Sequence, residues 1–187
     1  MLRSIGNVLI VDTETTGLHP DKGAKIIEIA ALLYNIKYKK VLQTFSTFLT
    51  CDENPVQDIN NIDPEWTRLP YPTRTALEFF DQMAFESDYI VAHNASFDRK
   101  FIEHELPIGK ILNASWICTK NDFKWPVKLY RNRLSDICEA MGVPYLNAHR
   151  ALPDCTFIAS CFDKIDDLED RFEIAAKSAM MSSNKFR

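Results

Sequence analysis

The chain has no apolar run of membrane-spanning length. Its longest, Val8 to Val11 and Ile29 to Tyr34, fall far short of the roughly 20 residues a bilayer helix requires. It has no Cys-x-x-Cys pair. The five cysteines, Cys51, Cys118, Cys138, Cys155 and Cys161, are scattered and odd in number, which argues against a disulfide framework and a structural zinc site. They read instead as small buried hydrophobes in a reducing compartment. There is no internal repeat, low-complexity tract or Gly/Ser linker. The 187 residues are therefore expected to form one domain, 1–187, with a core over about 7–163 and a C-terminal helix and frayed tail over 164–187. No signal-peptide core or small-residue cleavage site follows Met1, so the expected location is cytoplasmic, with no membrane partner. Positive charge is not in surplus either: 22 basic against 26 acidic residues give a formal charge of −4. By itself that balance says little for nucleic acid, unless divalent cations restore positive charge at an acidic site. What remains, 46% apolar and 26% charged, is the composition of a soluble globular protein.

Val8–Val11, Ile26–Tyr34 and Val41–Phe48 read as three strands joined by short turns, the third carrying the β-favouring run Thr44 to Phe48. Asn54 to Pro64 is a loop with a short helix. Thr73 to Phe85 has helical periodicity, with Leu77, Phe80, Met83 and Ala84 on one side. Tyr89–Ala92 is a fourth strand, and Asn94 caps a helix through about Leu106. Trp116 to Thr119 reads as a fifth strand, and Ser135 as the cap of a helix that stops at Gly142-Val143-Pro144. Helices near Arg150–Phe162 and Leu168–Met181 finish the chain. Three consecutive strands followed by alternating helices and strands indicate an α/β layer fold with a mixed sheet.

Chemistry concentrates where the first strand ends. Asp12 and Glu14 follow Val8–Val11 directly, and a strand sends residues i and i+2 to the same face. Acid-x-acid spacing is common by chance in a chain with 26 acids, and Asp52-Glu53 or Asp166 to Asp170 read as solvated acids. Position distinguishes Asp12 and Glu14. Two carboxylates at the end of a core strand repel each other, lose hydration and call for a cation, and their hard oxygens favour magnesium or manganese over zinc. Asp98 falls in the first turn of the helix after the fourth strand, where an acid also complements the helix dipole. His149 and Asp154 form a His-x-x-x-x-Asp element, uncommon by chance with four histidines in the chain. Pro153 confines the helix start to about Arg150, because proline is tolerated only in a first turn. That leaves His149 on the preceding loop.

Taken together, Asp12-Thr13-Glu14-Thr15-Thr16-Gly17-Leu18, Ala92-His93-Asn94-Ala95-Ser96-Phe97-Asp98 and His149-Arg150-Ala151-Leu152-x-Asp154 resemble the DEDDh 3′–5′ exonucleases, the proofreading superfamily with a ribonuclease-H-like fold. The resemblance covers roughly Val8 to Phe162. Within the family, Trp116 to Thr119 and the His149 segment look most like bacterial exonuclease X, with the ε subunit of bacterial DNA polymerase III a close second. It implies a ribonuclease-H-like mixed β-sheet, three antiparallel strands first and parallel strands after, flanked by helices. It also implies two-metal hydrolysis of 3′-terminal phosphodiesters, with two divalent cations, Mg²⁺ or Mn²⁺. Asp12 would bridge both ions, Glu14 and Asp154 would complete the inner site, and Asp98 would hold the second ion. His149 would deprotonate the attacking water, a task suited to the residue type whose charge changes near neutral pH.

The same resemblance brings the backbone around Thr13, Thr15 and Thr16 to the terminal nucleotide, and packs Leu18 and Phe97 against the last bases. Asn94 is carried over as a further substrate contact. Many relatives carry Ile-His-x-Ile in mid-chain. Here the matching stretch is Ile59-Asn60-Asn61-Ile62, with Asn60 in the histidine's place. Lys120 to Arg133 interleaves Lys120, Lys124, Lys128, Arg131 and Arg133 with Phe123, Trp125 and Tyr130, the composition of a single-strand path or of an ordinary solvated face. Arg99 and Lys100 are further phosphate candidates. The expected partner is nucleic acid, foremost single-stranded or frayed DNA 3′ ends. An RNA exonuclease resembling ribonuclease T or oligoribonuclease stays open, as do a proofreading subunit bound to a DNA polymerase and a homodimer.

Overall fold

The computed structural model describes residues 5–105, 109–146 and 149–183. Five strands, β1 (Asn7–Thr15), β2 (Ile26–Asn35), β3 (Lys40–Phe48), β4 (Tyr89–Ala92) and β5 (Trp116–Cys118), form one sheet in the order β3-β2-β1-β4-β5. β1, β2 and β3 are an antiparallel meander, and β4 and β5 run parallel to β1. The helices are α1 (Gln57–Asn60), α2 (Pro64–Thr67), α3 (Thr73–Phe85), α4 (Ala95–Glu105), α5 (Gly109–Leu112), α6 (Leu134–Met141), α7 (Ala151–Asp163) and α8 (Leu168–Ser183). The mixed α/β sheet of the sequence reading is the observed one. No helix among the described residues is long and apolar enough to cross a membrane.

Both faces of the sheet are covered, which is why β1 opens as an unbroken apolar run. Val8 and Ile10 point into one core with Ala30, Leu32 and Tyr34, under residues of α6, α7 and α8. Leu9 and Val11 point into the other, with Ile29, Ala31 and Leu33, under Phe80 and Met83 of α3 and Phe101 and Ile102 of α4. Helix α7 lies close on its face because Ala151, Cys155 and Ala159, one per turn, present small side chains to the sheet. The Cys155 thiol reaches the carbonyls of Ile10 and Ala30 at 3.7 Å. All five cysteines are buried and outside any disulfide, with Cys138 Sγ and Cys161 Sγ in hydrogen-bond contact at 3.8 Å.

Several local expectations are corrected. Ser135 lies inside the first turn of α6, whose start at Arg133 is held by the Asp136 carboxylate accepting from the Arg133 amide. A 3₁₀ turn at Pro20–Lys22 and the short α5 carry no amphipathic period long enough to be seen in sequence. Phe123 and Trp125, which the sequence left to a single-strand path or a solvated face, are on neither: they are buried against Phe162 and Phe172 in the core, and Trp125 donates to the Thr119 carbonyl at 2.9 Å. Tyr130 alone of the three is exposed, at 96%. Leu106, Ala148 and the end of the C-terminal tail lie outside the described residues.

Candidate active site

The two-residue period of β1 that fills both cores also sorts the site. Even-numbered side chains face α7, so Asp12 and Glu14 continue the row of Val8 and Ile10 toward that helix. Odd-numbered side chains face α4, so Thr13 meets Asp98. On the α7 side, Asp12, Glu14 and Asp154 each offer one carboxylate oxygen within 4.8 Å of the others. On the α4 side, Asp98 Oδ1 accepts from the Thr13 amide at 3.1 Å and from Thr13 Oγ1 at 2.9 Å, and its side chain is 2% exposed. Asp98 thus stands beside the trio without joining its closest grouping.

The electrostatics are those of anions held together without compensation. Burial, then the charge of Asp98, Glu14 and Asp154, raises Asp12 well above the usual carboxylate range. Burial and the neighbouring Asp154, Glu28 and Asp98 push Glu14 up to about 8. Asp98 rises to about 7 through burial, opposed by its hydrogen bonds from Thr13. Asp154 rises to about 6 through burial, opposed by the charge and backbone of His149. Asp154 Oδ1 is fully buried without a hydrogen-bond partner, one of two such side-chain atoms among the described residues, the other being Trp116 Nε1. An all-oxygen donor set, mutual repulsion and an orphaned buried carboxylate oxygen fit a hard divalent cation.

Helix α7 delivers its two site residues as Pro153 requires. Its first turn begins at Ala151, and the Asp154 amide donates to the Arg150 carbonyl at 3.0 Å. His149 lies before the helix, exposed, with φ of 63°. The sequence reading missed what anchors this start. Arg150 forks onto Glu28 of β2, Nε to Oε2 at 2.9 Å and Nη2 to Oε1 at 2.8 Å, and the Ala151 amide donates to Oε2 at 3.1 Å. Glu28, in register with Glu14, is the single charge in the apolar strand Ile26–Asn35, a signal visible in the sequence. Tyr145 is a second omission. Burial first, then the Asp154 carboxylate, raises its phenol pKa, with Asp12 and Glu14 also contributing.

The substrate candidates separate. Leu18 is 68% exposed, and Phe97 is half-buried against Phe101. Lys100 lies over both rings at 5.1 and 5.5 Å and donates to the Leu18 carbonyl at 2.6 Å, which fixes the loop after β1. Arg99 pairs with Glu103. Asn94 adopts φ of 73°, and its carbonyl accepts from the Phe97 amide at 2.8 Å. The amides of Thr13 and Thr16 are already engaged, by Asp98 and by the Lys25 carbonyl, and the Thr15 hydroxyl donates to the Gly17 carbonyl at 2.6 Å. These three groups hold the turn after β1.

Asn60 is the most enclosed of the substrate candidates. It is 1% exposed, its Oδ1 accepts from Asn54 Nδ2 and the Ile62 amide, and its Nδ2 donates to the Thr15 carbonyl at 3.4 Å. A side chain so enclosed braces the end of β1.

Comparison with known proteins supplies the family. A family model described as Exonuclease (RNase_T) matches residues 9–162. The chain belongs to this exonuclease family. It is 37% identical over 169 residues to the DNA polymerase III subunit epsilon of Rickettsia typhi, covering 82% of this chain and 71% of that one. It is 31% identical over 179 residues to the PolC-type DNA polymerase III of Caldanaerobacter subterraneus, covering 92% of this chain but only 12% of that polymerase. The nuclease domain of 3′hExo, a DEDDh family member solved bound to rAMP, superposes with a TM-score of 0.70 at 19% identity, over 91% of this chain and 95% of that one.

Proposed function

We propose that this chain is a metal-dependent 3′–5′ exodeoxyribonuclease releasing nucleoside 5′-monophosphates from DNA 3′ ends, with His149 as general base. The observation that carries the reading is the meeting of Asp12, Glu14 and Asp154 at the end of β1, with Asp154 Oδ1 buried and unpartnered. Asp12, Glu14 and Asp154 would hold one Mg²⁺ or Mn²⁺, with Asp12 and Asp98 toward a second. The bound cations would supply Lewis-acid stabilisation of the charge developing on the phosphate. The chain does the rest. Burial disfavours the ionised form of these carboxylates, which a bound cation would favour. His149, exposed and tethered by its backbone to Asp154, takes the proton of the attacking water. Leu18 and Phe97 receive the terminal bases, with Lys100 holding the Leu18 loop in place. A polymerase partner, proposed from the epsilon relative, and a homodimer are tested by co-purification and by light scattering.

The test is degradation of a 5′-labelled single-stranded DNA oligomer, beside RNA of the same sequence, with Mg²⁺, with EDTA and with Asp154→Ala. A DNA ladder that requires Mg²⁺ and Asp154 is the expected result. Persistence of the ladder in EDTA or in the variant overturns the metal mechanism. Faster loss of the RNA moves the assignment to the ribonuclease branch.

A further inference from the structure

We propose that Arg150, locked onto Glu28, is the positioning residue for His149, an inference that rests on the exonuclease reading above. His149 is a side-chain-bearing residue at φ of 63°, in the left-handed region, a strained backbone that calls for support from its surroundings. The fixed point is immediately C-terminal. Three donors from two successive residues, Arg150 Nε and Nη2 and the Ala151 amide, converge on one carboxylate at 2.8 to 3.1 Å. That carboxylate, Glu28, is 3% exposed and belongs to a central strand, so it cannot follow a moving loop. The guanidinium is also covered by Phe48 at 5.3 Å and Trp66 at 5.9 Å, one ring from β3 and one from α2. A planar fork with two bonds fixes orientation as well as distance, which an ammonium does not.

The arrangement also removes Glu28 from competition for the cations. Its carboxylate lies opposite Glu14, and its field reaches Asp12, Glu14 and Asp154. With both oxygens engaged by Arg150 and Ala151, Glu28 acts as an anchor and the metal-ligating set stays with its neighbours. The backbone at 149 is then held from the sheet on one side, while the imidazole is left at the surface to approach a water.

The test compares Arg150→Lys, Arg150→Ala and Glu28→Gln in the wild-type and His149→Ala backgrounds, on a nitrophenyl ester of thymidine 5′-monophosphate with Mn²⁺. Arg150→Ala and Arg150→Lys are expected to lower kcat by roughly 10- to 100-fold, the scale of a misplaced catalytic group, with KM within about 2-fold. In the His149→Ala background the same changes cost less than about 2-fold, because the group they position is already gone. A second readout needs no turnover. In metal-free protein, the ¹H–¹⁵N ring correlations of His149 shift in both Arg150 variants, while those of His93 and His104 stay. Equal losses in both backgrounds, or an unmoved His149 ring, overturn the proposal and leave the exonuclease reading standing. A wild-type protein that cleaves neither ester nor oligonucleotide defeats both. Should Arg150→Ala fail to fold by thermal melting, Arg150→Lys and Glu28→Gln carry the same comparison.

Discussion

Asp98 and Asp154 are each the fourth residue of a helix, α4 and α7, and each helix follows a side-chain-bearing residue with positive φ, Asn94 or His149. The helices lie on opposite faces of the sheet, and there the likeness ends. Asp98 is satisfied by its own protein, with two donors from Thr13. Asp154 has a buried oxygen with none. A carboxylate that the fold itself satisfies contributes to the scaffold. One left unsatisfied costs stability and is retained for what it binds. The α4 side is the jaw that the protein's own donors satisfy, and the α7 side is the jaw left open for the proposed cation.

The largest effect expected from this contrast is on activity. Asp154→Ala and Asp12→Ala should each lower kcat by at least about 10³-fold, measured by product release at saturating Mg²⁺. Activity that survives either change would show the trio is not the reacting centre. Next is the pH dependence of stability without metal. Glu14, Asp98 and Asp154 titrate in the native state near 8, 7 and 6, above their unfolded values near 4. Their stabilisation is fully present below about pH 4 and is lost as pH rises through 6 to 8. His93, pushed by burial down to about 4, acts oppositely, its contribution fading as pH falls below about 6.5. The melting temperature of EDTA-treated protein should therefore fall between pH 6 and 8, with Mn²⁺ restoring most at pH 8. A rise over that interval would contradict the assignment.

The jaws should also separate in stability. Asp98→Ala strands the Thr13 amide and hydroxyl and should cost about 1–3 kcal/mol in urea unfolding of metal-free protein, whereas Asp154→Ala should leave it unchanged or more stable. Matching losses would erase the distinction. The smallest effect is Thr13→Val, which removes one of Asp98's two donors and keeps the other. About 0.5–1.5 kcal/mol is expected from thermal melting, with Mn²⁺ affinity measured by calorimetry little changed.

Much of this was legible in the chain because it rests on periodicity. The alternation of β1 put Asp12 and Glu14 on one face, and Pro153 fixed where α7 begins and hence the loop place of His149. Thr73–Phe85 and Tyr89–Ala92 were bounded by their own patterns. What escaped depends on contacts distant in sequence. Glu28 and Arg150 are 122 residues apart, and nothing local pairs them. Asn60, matched by register to a substrate-facing histidine, is enclosed because Asn54 and Thr15 surround it. Phe123 and Trp125 looked like a stacking surface because interleaved aromatic and basic residues read alike whether the rings face water or a core.

The row of Ala151, Cys155 and Ala159 has a consequence beyond packing. Two of the three clustered carboxylates ride on a strand and the third on the helix above it, so the gap between them is a dimension of the sheet-to-helix layer. Side-chain volume at those three positions works as a shim, so the bulk of two methyl groups and a thiol sets the spacing of the carboxylates that would hold the proposed ion.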